Sequence, residues 1–280
     1  MTALSAIRWL AATAVLVPLF AAAAQAAETT GPQLKQGSLY RGQVKPGTQV
    51  YYAGKPVRTT AEGSFVIGFG RDTPVNQVFY TQTHSGGRIA RRLSLSPRTW
   101  LIERINGLDE KHVSPPSEVL SRIGKEARQI KEARLHSTAP PSFLRQGFTL
   151  PASGPISGVY GSQRILNGKP SQPHYGLDLA VPEGTPVQAP ADGIVVLAQP
   201  DTYYAGGLLV IDHGLGVSSS LLHLSKILVK KGQKVTQGTL VAHSGKTGRV
   251  SGAHLDWRAN WYLTRLDPDL LIKDFPHKAQ

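Results

Sequence analysis

The 280-residue chain contains no cysteine. That absence excludes disulfides, thiolate nucleophiles, Cys-ligated zinc and lipid attachment through an N-terminal Cys. Acidic residues are also scarce, with 18 Asp and Glu against 31 Lys and Arg, a formal net charge of +13. Beyond the first thirty residues no apolar run approaches the roughly 20 residues of a spanning helix, so no stable membrane span is expected. What abounds is glycine (29) and proline (20). So many turn formers favour a mainly β body of short strands over a helical bundle.

The start of the chain has the three parts of a secretory signal. Arg8 is followed by an apolar run from Trp9 to Phe20, and then by an alanine-rich stretch in which Ala24-Gln25-Ala26 fits a cleavage site. Residues 1–26 are therefore expected to be a signal peptide. The mature protein is expected to be secreted across the inner membrane, into the periplasm.

Positive charge is concentrated in the first half. Residues 27–144 carry 17 basic and nine acidic side chains, with Arg88, Arg91, Arg92 and Arg98 close together. An exported basic protein meets polyanions such as the cell wall, and no nucleic-acid-binding motif is present. Residues 34–104 alternate short β-prone runs with Gly, Pro and Asn turns, which predicts a β-sandwich closed by Arg98–Ile102. Ser117 is expected to cap a helix, so that 117–136 forms a helical linker with Val119, Leu120, Ile123, Ala127, Ile130 and Ala133 along one face. Thr138-Ala139-Pro140-Pro141 then reads as a connector to a C-terminal domain over 145–280.

Five of the nine histidines fall between His174 and His254. In His174-Tyr175-Gly176-Leu177-Asp178 a loop histidine leads into a strand carrying Asp178, and an imidazole converging with a carboxylate suits zinc. His223 interrupts the apolar run Leu221-Leu222-His223-Leu224. In His254-Leu255-Asp256-Trp257 a strand would turn His254 and Asp256 to one side. Taken singly, each pattern has an ordinary reading as a core histidine or a surface pair.

Together they resemble the lysostaphin/LytM-type zinc endopeptidases, which cleave peptide cross-links in peptidoglycan. The resemblance runs from about Gly154 to Pro268. It includes Gly158-Val159-Tyr160-Gly161-Ser162, Ala191-Asp192-Gly193-Ile194-Val195, Gly206 to Gly214, Lys231 to Gly238, and Gly245-Lys246-Thr247-Gly248. It implies an antiparallel β-sheet peptidase domain with His174 and Asp178 as metal ligands and His223 and His254 as catalytic histidines. The third ligand of that family is the second histidine of a His-x-His motif, and here that position is Asp256. Zinc accepts a carboxylate there, although a second anionic ligand also suits a harder ion such as manganese.

The activity so implied is metal-dependent hydrolysis of peptidoglycan cross-links. The alternative is an inactive relative that binds the wall and activates another hydrolase, with a regulatory envelope protein as a further partner. His213 and His243 are expected to be structural, and Tyr203 and Tyr204 to border the cleft.

Overall fold

The computed structural model describes residues 33–83, 86–105, 117–273 and 275. The expected signal peptide lies outside them. Among the described residues no helix is long and apolar enough to cross a membrane.

The first half contains strands β1 (Leu39–Gln43), β2 (Gln49–Tyr52), β3 (Lys55–Val57), β4 (Ser64–Gly68), β5 (Asn76–Gln82) and β6 (Arg88–Ser94). β1 pairs with β4, and the others form a sheet in the order β3-β2-β5-β6. The two sheets enclose Tyr40, Val50, Phe65, Ile67, Phe69 and Phe79.

One expectation is corrected here. Arg98–Ile102 does not close the sandwich, and strand β7 (Ile102–Ile105) leaves it. It pairs in parallel with β9 (Gln163–Leu166) of the second half. The reason is the company this segment finds there. Arg98 pairs with Asp267 at 2.7 Å, and the Trp100 ring packs edge-on against Tyr160.

Helix α1 (Leu120–Leu135) follows a 3-10 turn at Ser117–Val119. Ser117 does not cap it, because its hydroxyl donates to Glu118 and Val119 occupies the N-cap position. Only the C-terminal part of the expected apolar face is used. Ala133 and Ile130 pack on Val196, Leu208, Val210 and Leu222, while Leu120 stays exposed. The Thr138–Pro141 connector is pinned as well. Both oxygens of the buried Asp212 carboxylate accept backbone N–H groups, Oδ2 from Thr138 (2.7 Å) and Ala139 (2.9 Å) and Oδ1 from Gly214 (2.9 Å).

After the short α2 (Phe143–Gln146) come β8 (Ile156–Gly158), β10 (Lys169–Pro170), β11 (Leu177–Leu179) and β12 (Pro186–Gln188). Three long strands follow: β13 (Gly193–Thr202), β14 (Gly206–Gly214) and β15 (Val217–Leu224). The chain ends through β16 (Lys226–Ile227), β17 (Lys234–Val235), β18 (Leu240–His243), β19 (Leu255–Trp261), β20 (Thr264–Leu266) and α3 (Pro268–Lys273). The main sheet runs β17-β13-β14-β15-β19-β11-β8, with β20 on β19.

Successive side chains of its long strands point to opposite faces, and both faces are covered: every residue of β14 and β15 is buried. Leu209, Ile211, Leu221, Leu255, Trp257 and Ala259 fill the main core, so Leu222, Asp256, Arg258 and Asn260 face the other way. The two halves are not separated by solvent. Leu39 and Val66 of the first half belong to the main core, and Trp261 packs against both cores.

Candidate metal centre and active site

The site forms where β11, β19 and β15 lie side by side. Asp178 stands directly opposite Asp256 in the β11–β19 register, and Asp256 is opposite Leu222. Like charges facing each other across a strand pair are unfavourable, so a nearby positive group is needed to hold these two carboxylates together. Two glycines make room for them. A Cβ on Gly158 would come within 2.2 Å of Asp178 Oδ2, and one on Gly176 within 2.1 Å of Asp256 Oδ1.

His174 reaches in from the loop before β11. Its Nε2 lies 3.2 Å from Asp178 Oδ1, yet both atoms are buried without an aligned hydrogen-bond partner. Two electron-pair donors facing one point in this way match the needs of a cation. One atom from each of His174, Asp178 and Asp256 falls within 4.8 Å of the others, the sole such group of three found among the described residues. Burial works against a charge on His174, but the carboxylates of Asp178 and Asp256 override it and raise its pKa.

His223 would point into the core in a regular strand. Three residues of β14, Gly207 to Leu209, oppose four of β15, Leu221 to Leu224, so β15 bulges at this point. His223 takes φ 65° there, and such a bulge re-aims a side chain. Its Nδ1 donates to the Thr247 carbonyl at 2.9 Å, which leaves Nε2 for the cleft. Burial first, and then the neighbouring His254, lower its pKa, so the ring is neutral near pH 7.

His254 donates from Nδ1 to Gly252 O and sets Nε2 4.0 Å from Asp178 Oδ1. The two rings are 4.8 Å apart between centroids. The Gly245–Gly248 loop fixes both, because the His254 amide also bonds to Gly245 O, and Thr247 Oγ1 ties the loop to Gly207 and Leu224. All five residues singled out in the sequence are thus brought together.

Sequence reasoning missed Arg258. Its Nε and Nη2 donate to Asp256 Oδ2 at 2.9 and 2.6 Å. Burial alone would raise the Asp256 carboxyl, but Arg258 overrides it and holds it below the ordinary carboxylate range. The signal was available, since residues 254, 256 and 258 share one strand face. A groove of about 770 Å³ opens over the site. It is lined by His174, Asp178, Arg258 and Tyr204, with Leu101 and Glu103 contributed from beside and within β7.

His213 is structural. Its Nδ1 donates to Asp192 O at 2.7 Å, and its Nε2 lies 2.9 Å from the Ser219 hydroxyl. Burial lowers its pKa, whereas an unfolded chain protonates histidine near about pH 6.5. Below that pH the unfolded chain therefore binds a proton that the folded one refuses, and stability falls as pH drops toward the folded-state pKa. This group should lower stability between pH 7.5 and 5.5 by up to about 1.4 kcal/mol per pH unit, and the melting temperature with it. His223 acts in the same sense and His174 in the opposite one, so the readout is the difference in slope between the wild type and His213→Gln, which should be flatter.

Comparison with known proteins agrees with this geometry. Residues 172–268 match the model of peptidase family M23. Peptidoglycan DD-endopeptidase ShyA of Vibrio cholerae is 53% identical over 85 residues, covering 30% of this chain and 20% of that protein. ShyB of the same organism is 44% identical over 105 residues, covering 37% and 24%. The match thus spans about a quarter or less of these curated relatives. A crystal structure of a putative peptidase M23 from Pseudomonas aeruginosa is 30% identical, with a TM-score of 0.68, and the alignment covers 87% of this chain and 96% of that one. With nearly the whole of that protein matched in both sequence and fold, the chain belongs to peptidase family M23.

Proposed function

We propose that this protein is a metal-dependent endopeptidase that hydrolyses peptide cross-links of peptidoglycan. The observation that carries the reading is the pair of buried atoms without an aligned hydrogen bond, His174 Nε2 and Asp178 Oδ1, set beside two histidines over one groove. His174, Asp178 and Asp256 would hold a divalent cation, zinc by family precedent. Such a cation supplies Lewis-acid polarisation of the scissile carbonyl. Asp256 with Arg258 is a neutral pair, so exchanging a neutral third ligand for Asp256 leaves the net charge of the donor set unchanged. His223 and His254, each with Nδ1–H fixed on a carbonyl, offer Nε2 to accept a proton or to hydrogen-bond the oxyanion.

The test is metal content after purification without chelator, together with digestion of purified sacculi. About one equivalent of metal and conversion of cross-linked to monomeric muropeptides are expected. A protein that binds no metal and releases nothing rejects the reading.

Arg258 favours a second reading. A guanidinium already bound to Asp256 is itself a resident cation, as suits a metal-free relative that binds the wall and activates another hydrolase. That protein would stimulate a partner hydrolase without metal of its own. Action in the periplasm after removal of residues 1–26 belongs to both readings.

The wall contact is proposed to involve β6. Arg88, Arg91 and Arg92 are exposed on this edge strand. Changing all three to Gln should weaken pelleting with sacculi at low ionic strength, and the loss should shrink as salt screens the attraction. Unchanged pelleting would remove this cluster as the anchor.

A further inference from the structure

The face of the main sheet beneath α1 carries a buried polar patch beside the site. Ser218 and Ser220 of β15 share this face with Leu222, and their register partners in β19 are Asn260 and Arg258. Asn260 is opposite Arg265 of β20, whose Nη1 donates to Asn260 Oδ1 at 3.4 Å. Neighbouring strands are about 4.8 Å apart, so these groups occupy one small area. Ser218, Ser220 and Asn260 are each at most 1% exposed. Yet both hydroxyls, the Asn260 amide nitrogen and Nε of Arg134 in α1 have no hydrogen-bond partner among the described residues.

Charge is unbalanced at the same place. Arg134 lies within electrostatic reach of Arg258 and Arg265. The carboxylates near them are Asp256, already engaged by Arg258, and Asp178, so three positive charges face two negative ones. Burial first, then the positive charges of Arg265 and Arg258, weigh against the charged form of Arg134. Because a guanidinium keeps its proton in proteins, the imbalance calls for an anion and not for a lost proton.

We propose that Arg134, Arg258 and Arg265, with Ser218, Ser220 and Asn260, form a binding site for a small oxyanion, a carboxylate or a phosphate-like group. The donor inventory selects that chemistry. Asn Nδ2 and Arg Nε can only donate, and an acceptor-only ligand meets them with charge-assisted bonds. Arg258 and Arg265 also line the groove, so the anion enters from there. It comes either free from solution or as a carboxylate on a bound peptide, and the second source rests on the peptidase reading.

The probe is inorganic phosphate, followed by thermal unfolding of the full chain against chloride at equal ionic strength. Phosphate should raise the melting temperature saturably in the wild type. It should do so equally in His174→Ala, which separates this site from the metal donors. Arg134→Met should respond only at about tenfold or more higher phosphate, the weight of one charge-assisted bond. Ser220→Ala keeps every charge and should also need more phosphate. A wild type with no phosphate-specific response, or variants that respond like it, would overturn the proposal.

Digestion kinetics then assign the source. Phosphate that raises KM in the wild type but not in Arg134→Met marks a substrate carboxylate, whereas stabilisation with KM unchanged marks a free anion. A phosphate response in a protein that cleaves nothing sinks the peptidase reading and leaves the anion site standing.

Discussion

Asp256→Ala should abolish both metal retention and sacculus digestion, and it should also destabilise the fold. The carboxylate is buried opposite Asp178 and bound by Arg258. Removing it deletes one donor of the proposed metal set and leaves a guanidinium unpaired, a change that costs about 3–5 kcal/mol for a buried pair. The two effects separate by pairing substitutions. Asp256→His combined with Arg258→Gln restores a neutral imidazole at the third position without stranding a charge, and should retain metal. His254→Ala, which removes no donor from the set, should keep the metal while hydrolysis slows by about a hundredfold or more, as for loss of a general acid–base group. Metal content measured on the folded fraction is the decisive quantity. A full equivalent in Asp256→Ala with full activity would remove Asp256 from the ligand set.

The second large effect is expected far from the groove. Asp212→Ala leaves three backbone N–H groups, of Thr138, Ala139 and Gly214, without their acceptor. Each is a charge-assisted bond, and their joint loss should cost about 3–5 kcal/mol, the range of a broken buried network. For a chain of this size that lowers the melting temperature by about 10 °C. Proteolysis should then begin at Thr138–Pro141, a segment that the wild-type fold protects. Asp212→Asn keeps one carbonyl acceptor and should lose less. Equal melting temperatures for Asp212→Ala and the wild type would show that the connector is held by packing alone.

Much of the site was legible because its residues sit in short, local patterns. His174 and Asp178 flank a glycine that admits a neighbouring carboxylate, and His254 and Asp256 follow the period of two of a strand. His223 was legible only through the family resemblance, since nothing in Leu221-Leu222-His223-Leu224 announces a bulge. That distortion comes from the register between β14 and β15, a property of two strands together. Arg258 followed the same period of two, but nothing in His254-Leu255-Asp256-Trp257 pointed one step further along the strand. Arg134 and Arg265 reach the site through tertiary packing, which no local pattern encodes. The same limit explains β7. Its β-prone sequence was evident, but its partner lies some sixty residues further on, and the choice was made by Arg98 with Asp267 and Trp100 with Tyr160.

That choice bears on what the groove can grip. The donors and both histidines come from residues 174–256, yet Leu101 and Glu103 also line the groove. A fragment beginning at residue 117 would keep the donors and both histidines but lose these two side chains, and Arg164 would lose the Glu103 carboxylate that faces it at 3.0 Å. Whatever a bound strand gains from that edge is therefore contributed by the first half of the chain, while the reactive groups belong to the second.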